Sequence, residues 1–258
     1  MCSPDGRRPD PPAPRHRVRG VVLIEVMVGV ALGLLIVIAA IAAYAFTLST
    51  AAAGRDAADL QQRADIAMQL IGAQVRQAGT VRMEAGGGGA RLSGAFEGWA
   101  AGGVAVGGVE GGAGRPDALR VAHEPEPGEL DCLGNGKTPP GHIDAEFFIR
   151  NESDNHNRPA LYCGGVESPQ AVVAGVDDMQ LWFSVRDAAG SLRHVTADQL
   201  AADTTVEAVR VCLQLSSESS HGGTGVRDCS GAPITPQKTA GRMVRIVRGV
   251  FLVRNGAA

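Results

Sequence analysis

Glu25 stands five residues after Gly20 inside an apolar run that reads R-G-V-V-L-I-E-V-M-V-G-V-A-L-G-L-L-I-V-I-A-A-I-A-A-Y-A-F from Arg19 to Phe46. A carboxylate at the centre of a membrane-length run costs about 2.5–3.5 kcal/mol on insertion scales, so it is a functional candidate by default. On a helix Glu25 lies only about 6 Å along the axis from Val21, near a membrane interface, which softens that cost. Other clusters invite chemical readings and fail on spacing. Gly134-Asn135-Gly136-Lys137-Thr138 imitates the end of a phosphate loop, but Asp131 occupies the first glycine position and Pro139-Pro140 forbids the following helix. Asn151–Asn157 is rich in oxygen donors yet lacks the Gly and distal Glu of a calcium loop, and reads as a solvated turn. His123, His142, His156, His194 and His221 show no paired metal-ligand spacing, and no G-x-S-x-G elbow occurs. The residues therefore point to no catalytic centre, no metal, no cofactor and no small-molecule substrate. Arg242, Arg245, Arg248 and Arg254 make a basic C-terminal strand, read as a solvated face with subunit contacts.

These residues need elements to hold them. No Pro occurs from Val21 to Thr80, so the apolar run passes directly into an amphipathic stretch. Ala53, Ala57, Leu60, Ala64, Ala67, Ile71, Val75 and Ala78 recur in steps of four and three, one face of a helix that Gly79 stops. Asp59 sits four residues from both Arg55 and Arg63, on the opposite side. The Gly-rich stretch 86–114 reads as a connection. β-rich runs follow at Ala118–His123, Glu146–Arg150, Ala160–Cys163, Met179–Val185, Val206–Leu215 and Met243–Val253. The fold class is thus α+β: a long N-terminal α-helix, half transmembrane and half amphipathic, packed on an antiparallel β-sheet.

Charge and cysteine usage set the compartment. Met1–Gly20 carries five arginines against two aspartates, a net of +3, which leaves −6 for the remainder of a chain of net −3. The positive-inside rule then orients the N-terminus to the cytoplasm and the acidic remainder outward. An acidic exported domain speaks against a general nucleic-acid footprint. Beyond Cys2, the four cysteines Cys132, Cys163, Cys212 and Cys229 suggest two disulfides. Three connectivities are open, with the sequence-local pairs Cys132–Cys163 and Cys212–Cys229 preferred.

The run from Val21 to Phe46 is too long for a secretory signal core of 7–15 residues. A plain anchor fits the length but leaves Gly20 and Glu25 unexplained. The G-x-x-x-x-E spacing resembles the N-terminus of type IV prepilins. That resemblance implies cleavage between Gly20 and Val21 by a prepilin peptidase, N-methylation of Val21, and an assembly ion pair between Glu25 and an N-terminal ammonium. Val21 and Val22 depart from the family's usual Phe and Ser or Thr. It implies a leader over 1–20, a transmembrane or filament-core helix over 21–46, an amphipathic helix over 47–79 and a pilin-like β-rich ectodomain over 80–258. D-C-L-G at Asp131–Gly134, A-L-Y-C at Ala160–Cys163, V-A-G-V-D-D-M-Q-L-W-F at Val173–Phe183 and the closing R-M-V-R-I-V-R-G-V-F-L-V-R-N resemble the PilW family of minor pilins. By that resemblance the chain is a non-enzymatic subunit that helps initiate pilus assembly and joins a tip complex. Its partners would be the prepilin peptidase, other minor pilins, the major pilin and the inner membrane, before display on the pilus at the cell surface. Two alternatives share parts of this pattern: a minor pseudopilin of type II secretion, and a membrane-anchored periplasmic binding or enzymatic domain.

Overall fold

The computed structural model describes residues 22–81, 105–112, 114–136, 142–152, 157–164, 168–186, 190–201, 204–220, 225–235 and 240–254, together with the backbone of 83–86 and 89–92. The chain forms two compact units, Met1–Ala51 and Ala52–Ala258. One helix, α1 (Leu23–Gln77), contributes to both. Its 55 residues extend about 82 Å at the α-helical rise.

In the first unit the large side chains of α1 stand exposed, from Leu23 at 79% to Phe46 at 73%. This segment is long and apolar enough to cross a membrane. In the second unit the apolar stripe is buried from Leu60 through Ala64, Ala67, Ile71, Val75 and Ala78. Ala57, expected on the same stripe, is exposed. The reason is reach: Arg63 already meets Glu218 near the end of a long strand, so the sheet gives out about one turn after Ala57. Gln74 is buried on this face as well, a polar position that the apolar periodicity skips. The helix ends as the sequence indicates. Thr80 donates its N–H and hydroxyl to the Gln77 carbonyl at 3.0 and 2.7 Å, and Gly79 adopts φ +77°. The Gly79 N–H then reaches the Ala122 carbonyl at 2.9 Å and ties the helix end to the sheet.

Among the described residues all strand pairings are antiparallel. A hairpin joins β1 (Met83–Gly86) and β2 (Gly89–Leu92). One sheet has the order β3 (Val106–Val109), β4 (Ala118–His123), β5 (Ile143–Glu152), β6 (Arg158–Gly164), β7 (Gln170–Ala174). The other sets β11 (Arg242–Leu252) beside β10 (Thr205–Ser220), then β8 (Val176–Arg186) and β9 (Leu192–Val195). Leu119, Val121, Phe147 and Leu161 from the first sheet, Leu181, Phe183, Val209, Val211 and Leu213 from the second, and the helix stripe share one core. The Gly-rich stretch 86–114, expected as a connection, contributes β2 and β3. An edge strand of this kind needs closeness more than side chains: a Cβ at Gly108 would fall 2.8 Å from the Phe183 ring.

Gly175 is the corner between the sheets. It separates β7 from β8, holds φ +75°, donates its N–H to Pro159 of β6 and accepts from Ser216 of β10. A Cβ there would sit 3.0 Å from the Ser216 carbonyl oxygen. The stretch V-A-G-V-D-D-M-Q-L-W-F is therefore the passage of the chain from one sheet to the other.

Candidate functional site

Glu25 lies in the first turn of α1, where an acid favours the positive end of the helix dipole, and its N–H bonds the Val22 carbonyl at 2.8 Å. Gly20 and Val21 lie outside the described residues. Around Glu25 the helix presents Leu23, Ile24, Val26 and Met27, all exposed. In water such a surface is an unpaired apolar stripe; in a bilayer or a bundle of like helices it is matched.

The four cysteines form two disulfides, Cys132–Cys163 and Cys212–Cys229, with Cα separations of 6.2 and 5.8 Å. Each links a loop to a different sheet, through Cys163 on β6 and Cys212 on β10. The loops themselves are alike, which inspection of the sequence missed. Asp131-Cys132-Leu133-Gly134 and Asp228-Cys229-Ser230-Gly231 repeat the pattern D-C-x-G. In each, the Asp N–H bonds the carbonyl four residues on at 2.9 Å, and its Oδ1 accepts that residue's N–H at 2.8 Å. Gly134 and Gly231 take φ +79° and +90°, a conformation natural to glycine. Isolated bridges Leu130–Gly136 and Arg227–Pro233 close the two turns. The repeated tetrapeptide was the signal available in the sequence.

This geometry also disposes of the imitation phosphate loop. Asp131 already occupies the Leu133 and Asn135 amides, at 2.9 and 2.8 Å, and presents a carboxylate where an anion would bind; Lys137 and Thr138 lie outside the described residues. The remaining candidates stay scattered. Asn151 and Glu152 end β5 and Asn157 precedes β6, with the residues between them outside the described set. His142 pairs with Asp144 at 2.9 Å, and His194 meets the Ser184 hydroxyl at 3.0 Å. His123 is fully buried; burial pushes its pKa down, against the pull of Glu129 and Asp144. Its ring nitrogens have no hydrogen-bond partner among the described residues, and Nε2 stands 3.5 Å from Glu129 Oε1. Among the described residues no group of three or more His, Cys, Asp or Glu is placed to hold a metal ion.

A polar cluster lies where α1 meets the ends of the strands. Arg63 pairs with Asp59 at 2.7 Å and Glu218 at 3.0 Å, while Arg158 donates to the Ser217 carbonyl at 3.0 Å. Beside them Asp177 accepts from the Ser216 hydroxyl at 3.1 Å. Burial raises the Asp177 pKa, and Ser216, Arg242 and Arg158 only partly offset that rise. The cluster ties the helix to the end of β10 through Arg63 and Glu218.

A helix apolar and exposed in one unit, and laid on antiparallel sheets in the other, is an α+β architecture. The family model of PilW, type IV pilus-assembly protein W, matches residues 146–255, which run from β5 past the end of β11. A solved type IV-like pilin from Thermus thermophilus aligns over 77% of this chain and 98% of its own, at 11% identity and a TM-score of 0.43. No curated protein matches the chain. The family similarity, confined to the second unit, is consistent with a part in a type IV pilus, and the apolar part of α1 is long and apolar enough to cross a membrane.

Proposed function

We propose that this chain is a minor type IV pilin that helps prime pilus assembly and takes a place in a complex at the pilus tip. The observation that carries the reading is α1: an exposed apolar segment with Glu25 in its first turn, continuous with a helix that packs on a sheet domain similar to PilW. In this reading 1–20 is a leader removed by a prepilin peptidase after Gly20, and Val21 supplies a methylated terminal amine. Segment 21–46 anchors the protein in the inner membrane and later joins the filament core, 47–79 carries the ectodomain, and 80–258 faces the periplasm. Glu25 and a terminal ammonium form a pair that is strong in low dielectric and costly when either partner is alone, so it sets the register of packed helices. The partners are other minor pilins and the major pilin, and the chain itself performs no catalysis.

N-terminal mass analysis of membrane-extracted protein tests this. The expected mature chain begins at methylated Val21. An intact leader, or a start beyond Ala45, would refute the prepilin reading.

A further inference from the structure

We propose that β11 is a strand-addition site whose occupant is an extended, acidic segment of a partner protein. β11 closes one side of its sheet and pairs only with β10 among the described residues. The other three outer strands of the two larger sheets, β3, β7 and β9, have four, five and four residues; β11 has eleven. Its register with β10 is unbroken from Ala208–Leu252 to Ser216–Val244. Proteins usually blunt such an edge by shortness, proline, a bulge, a covering element or charged side chains, and β11 carries charge, as Arg242, Arg245 and Arg248. Between Val244 and Leu252 there is no proline and no bulge.

The side chains say what fits. Outside the first unit, the two most exposed large apolar residues are Val250 at 61% and Leu252 at 67%, both on β11. Val250 opposes exposed Arg210, which opposes Trp182 on β8, so the face beside the edge mixes apolar and basic side chains. Arg242, Arg245 and Arg248 lie on β11 and Arg254 just beyond, with no acid from Arg242 to the chain's last residue. Arg248 donates to a backbone carbonyl of Asp228, which leaves its charge unneutralised by that contact. The Arg245 Nε is buried with no hydrogen-bond partner among the described residues. A second copy docked edge to edge by a two-fold axis would set Arg242 and Arg248 on one face of β11, and Arg245 on the other, against their own counterparts, and like charges across strands are destabilising. A strand bearing Asp or Glu meets the same arginines favourably, gains main-chain hydrogen bonds along the edge and covers Val250 and Leu252. The inference stands on the geometry and side chains of β11, so an unprocessed N-terminus would leave it untouched.

The test uses the full chain in detergent and a fluorescein-labelled ten-residue peptide alternating Val or Thr with Glu. The controls are the same peptide with Lys for Glu, the Glu peptide with N-methylated amides, and a short DNA duplex. Fluorescence anisotropy should show the Glu peptide binding roughly tenfold tighter than the Lys peptide, a difference of the size that complementary charges supply. Hydrogen exchange should slow within Val244–Leu252, N-methylation should abolish binding, and Arg248→Glu should narrow the Glu–Lys preference severalfold. The proposal is overturned by absent or equal binding of the two peptides, by binding that survives N-methylation, by self-association at the edge in place of peptide binding, or by tighter binding of the duplex.

Discussion

The Asp117 carboxylate takes the place of a strand against Leu181: its Oδ2 accepts the Leu181 N–H at 2.8 Å, and its own N–H bonds the Met179 carbonyl at 2.8 Å. β9 covers the edge of β8 only from Phe183 to Arg186, so the backbone at 179–181 would otherwise be buried without partners. Oδ1 also accepts the Gly111 N–H at 2.9 Å, joining the loop after β3 to the other sheet. Asp117→Ala strands those donors and should cost about 1–3 kcal/mol, the range for leaving a buried donor unsatisfied. Asp117→Asn, which keeps an acceptor, should cost less. Thermal denaturation of the two variants decides it; equal midpoints for both and the parent would show that the bridge carries no stability.

The buried ionisable groups make the domain's stability depend on pH in two opposing ways. Burial lowers the His123 pKa below 6.5, so as pH falls through 6.5 the unfolded chain takes up a proton before the folded one does, and stability is lost. Asp177 and Asp178 have pKa values raised above 3.8, chiefly by burial, so stability is lost as pH rises from about 3.8 through the raised values. Melting curves from pH 4 to 8 should show His123→Leu flattening the acid side below 6.5. Asp177→Asn should raise the midpoint at pH 7 and change little at the acid end. A His123→Leu profile parallel to the parent's would disprove the first assignment.

Gly72 and Phe251 should behave as a coupled pair. A Cβ at Gly72 would intrude on the edge of the Phe251 ring, and one at Gly249 would fall 2.5 Å from Met68 Cε. Alanine is the better helix former by about 1 kcal/mol, whereas overpacking costs about 1–3 kcal/mol. Gly72→Ala alone should therefore be neutral to mildly destabilising, and in a Phe251→Ala background it should become stabilising. A double-mutant cycle in urea should give a coupling of about 1–2 kcal/mol; additive effects would mean that the ring swings away without cost.

Opening either staple should loosen one sheet and spare the other. The disulfides close loops with sequence separations of 31 and 17 residues, worth about 3–4 kcal/mol each in the chain-entropy model. Cys132→Ala with Cys163→Ala should speed proteolysis near 124–136, and Cys212→Ala with Cys229→Ala near 225–235. Peptide mapping after limited digestion reads this, and identical digestion patterns for the two pairs would contradict local stapling.

Glu25→Ala should leave leader removal largely intact while lowering the amount of the protein recovered in sheared pili. Quantitative immunoblots of cell and pilus fractions measure both. Undiminished recovery would refute an ion-pair role for this carboxylate.

Periodicity carried the long elements because burial enforces it. The stripe Leu60, Ala64, Ala67, Ile71, Val75 and Ala78 repeats at the helical step, and β4 runs over Ala118–His123 as its composition indicates. What escaped was governed by backbone geometry. β3 is V-G-G-V, in which Gly108 serves close approach to Phe183 and Ala197 and the glycine pair leaves no alternating pattern to read. Gly175 reads as an ordinary turn glycine, since nothing local says that its N–H and C=O will serve two different sheets. At the candidate site, Glu25 was legible because a charge in an apolar run is conspicuous. The D-C-x-G loops were legible only by comparing distant segments, and the open edge of β11 depends on strand order, which no local pattern encodes.

α1 and β11 are the first and last elements of the second unit, and they touch through Met68 with Gly249 and Gly72 with Phe251. The unit is thus clasped shut by its own two ends. A pull entering through the N-terminal part of α1 passes into the element that holds β11, and β11 is bonded along its length to β10, which is bonded in turn to β8. Displacing either element therefore disturbs the packing of the other.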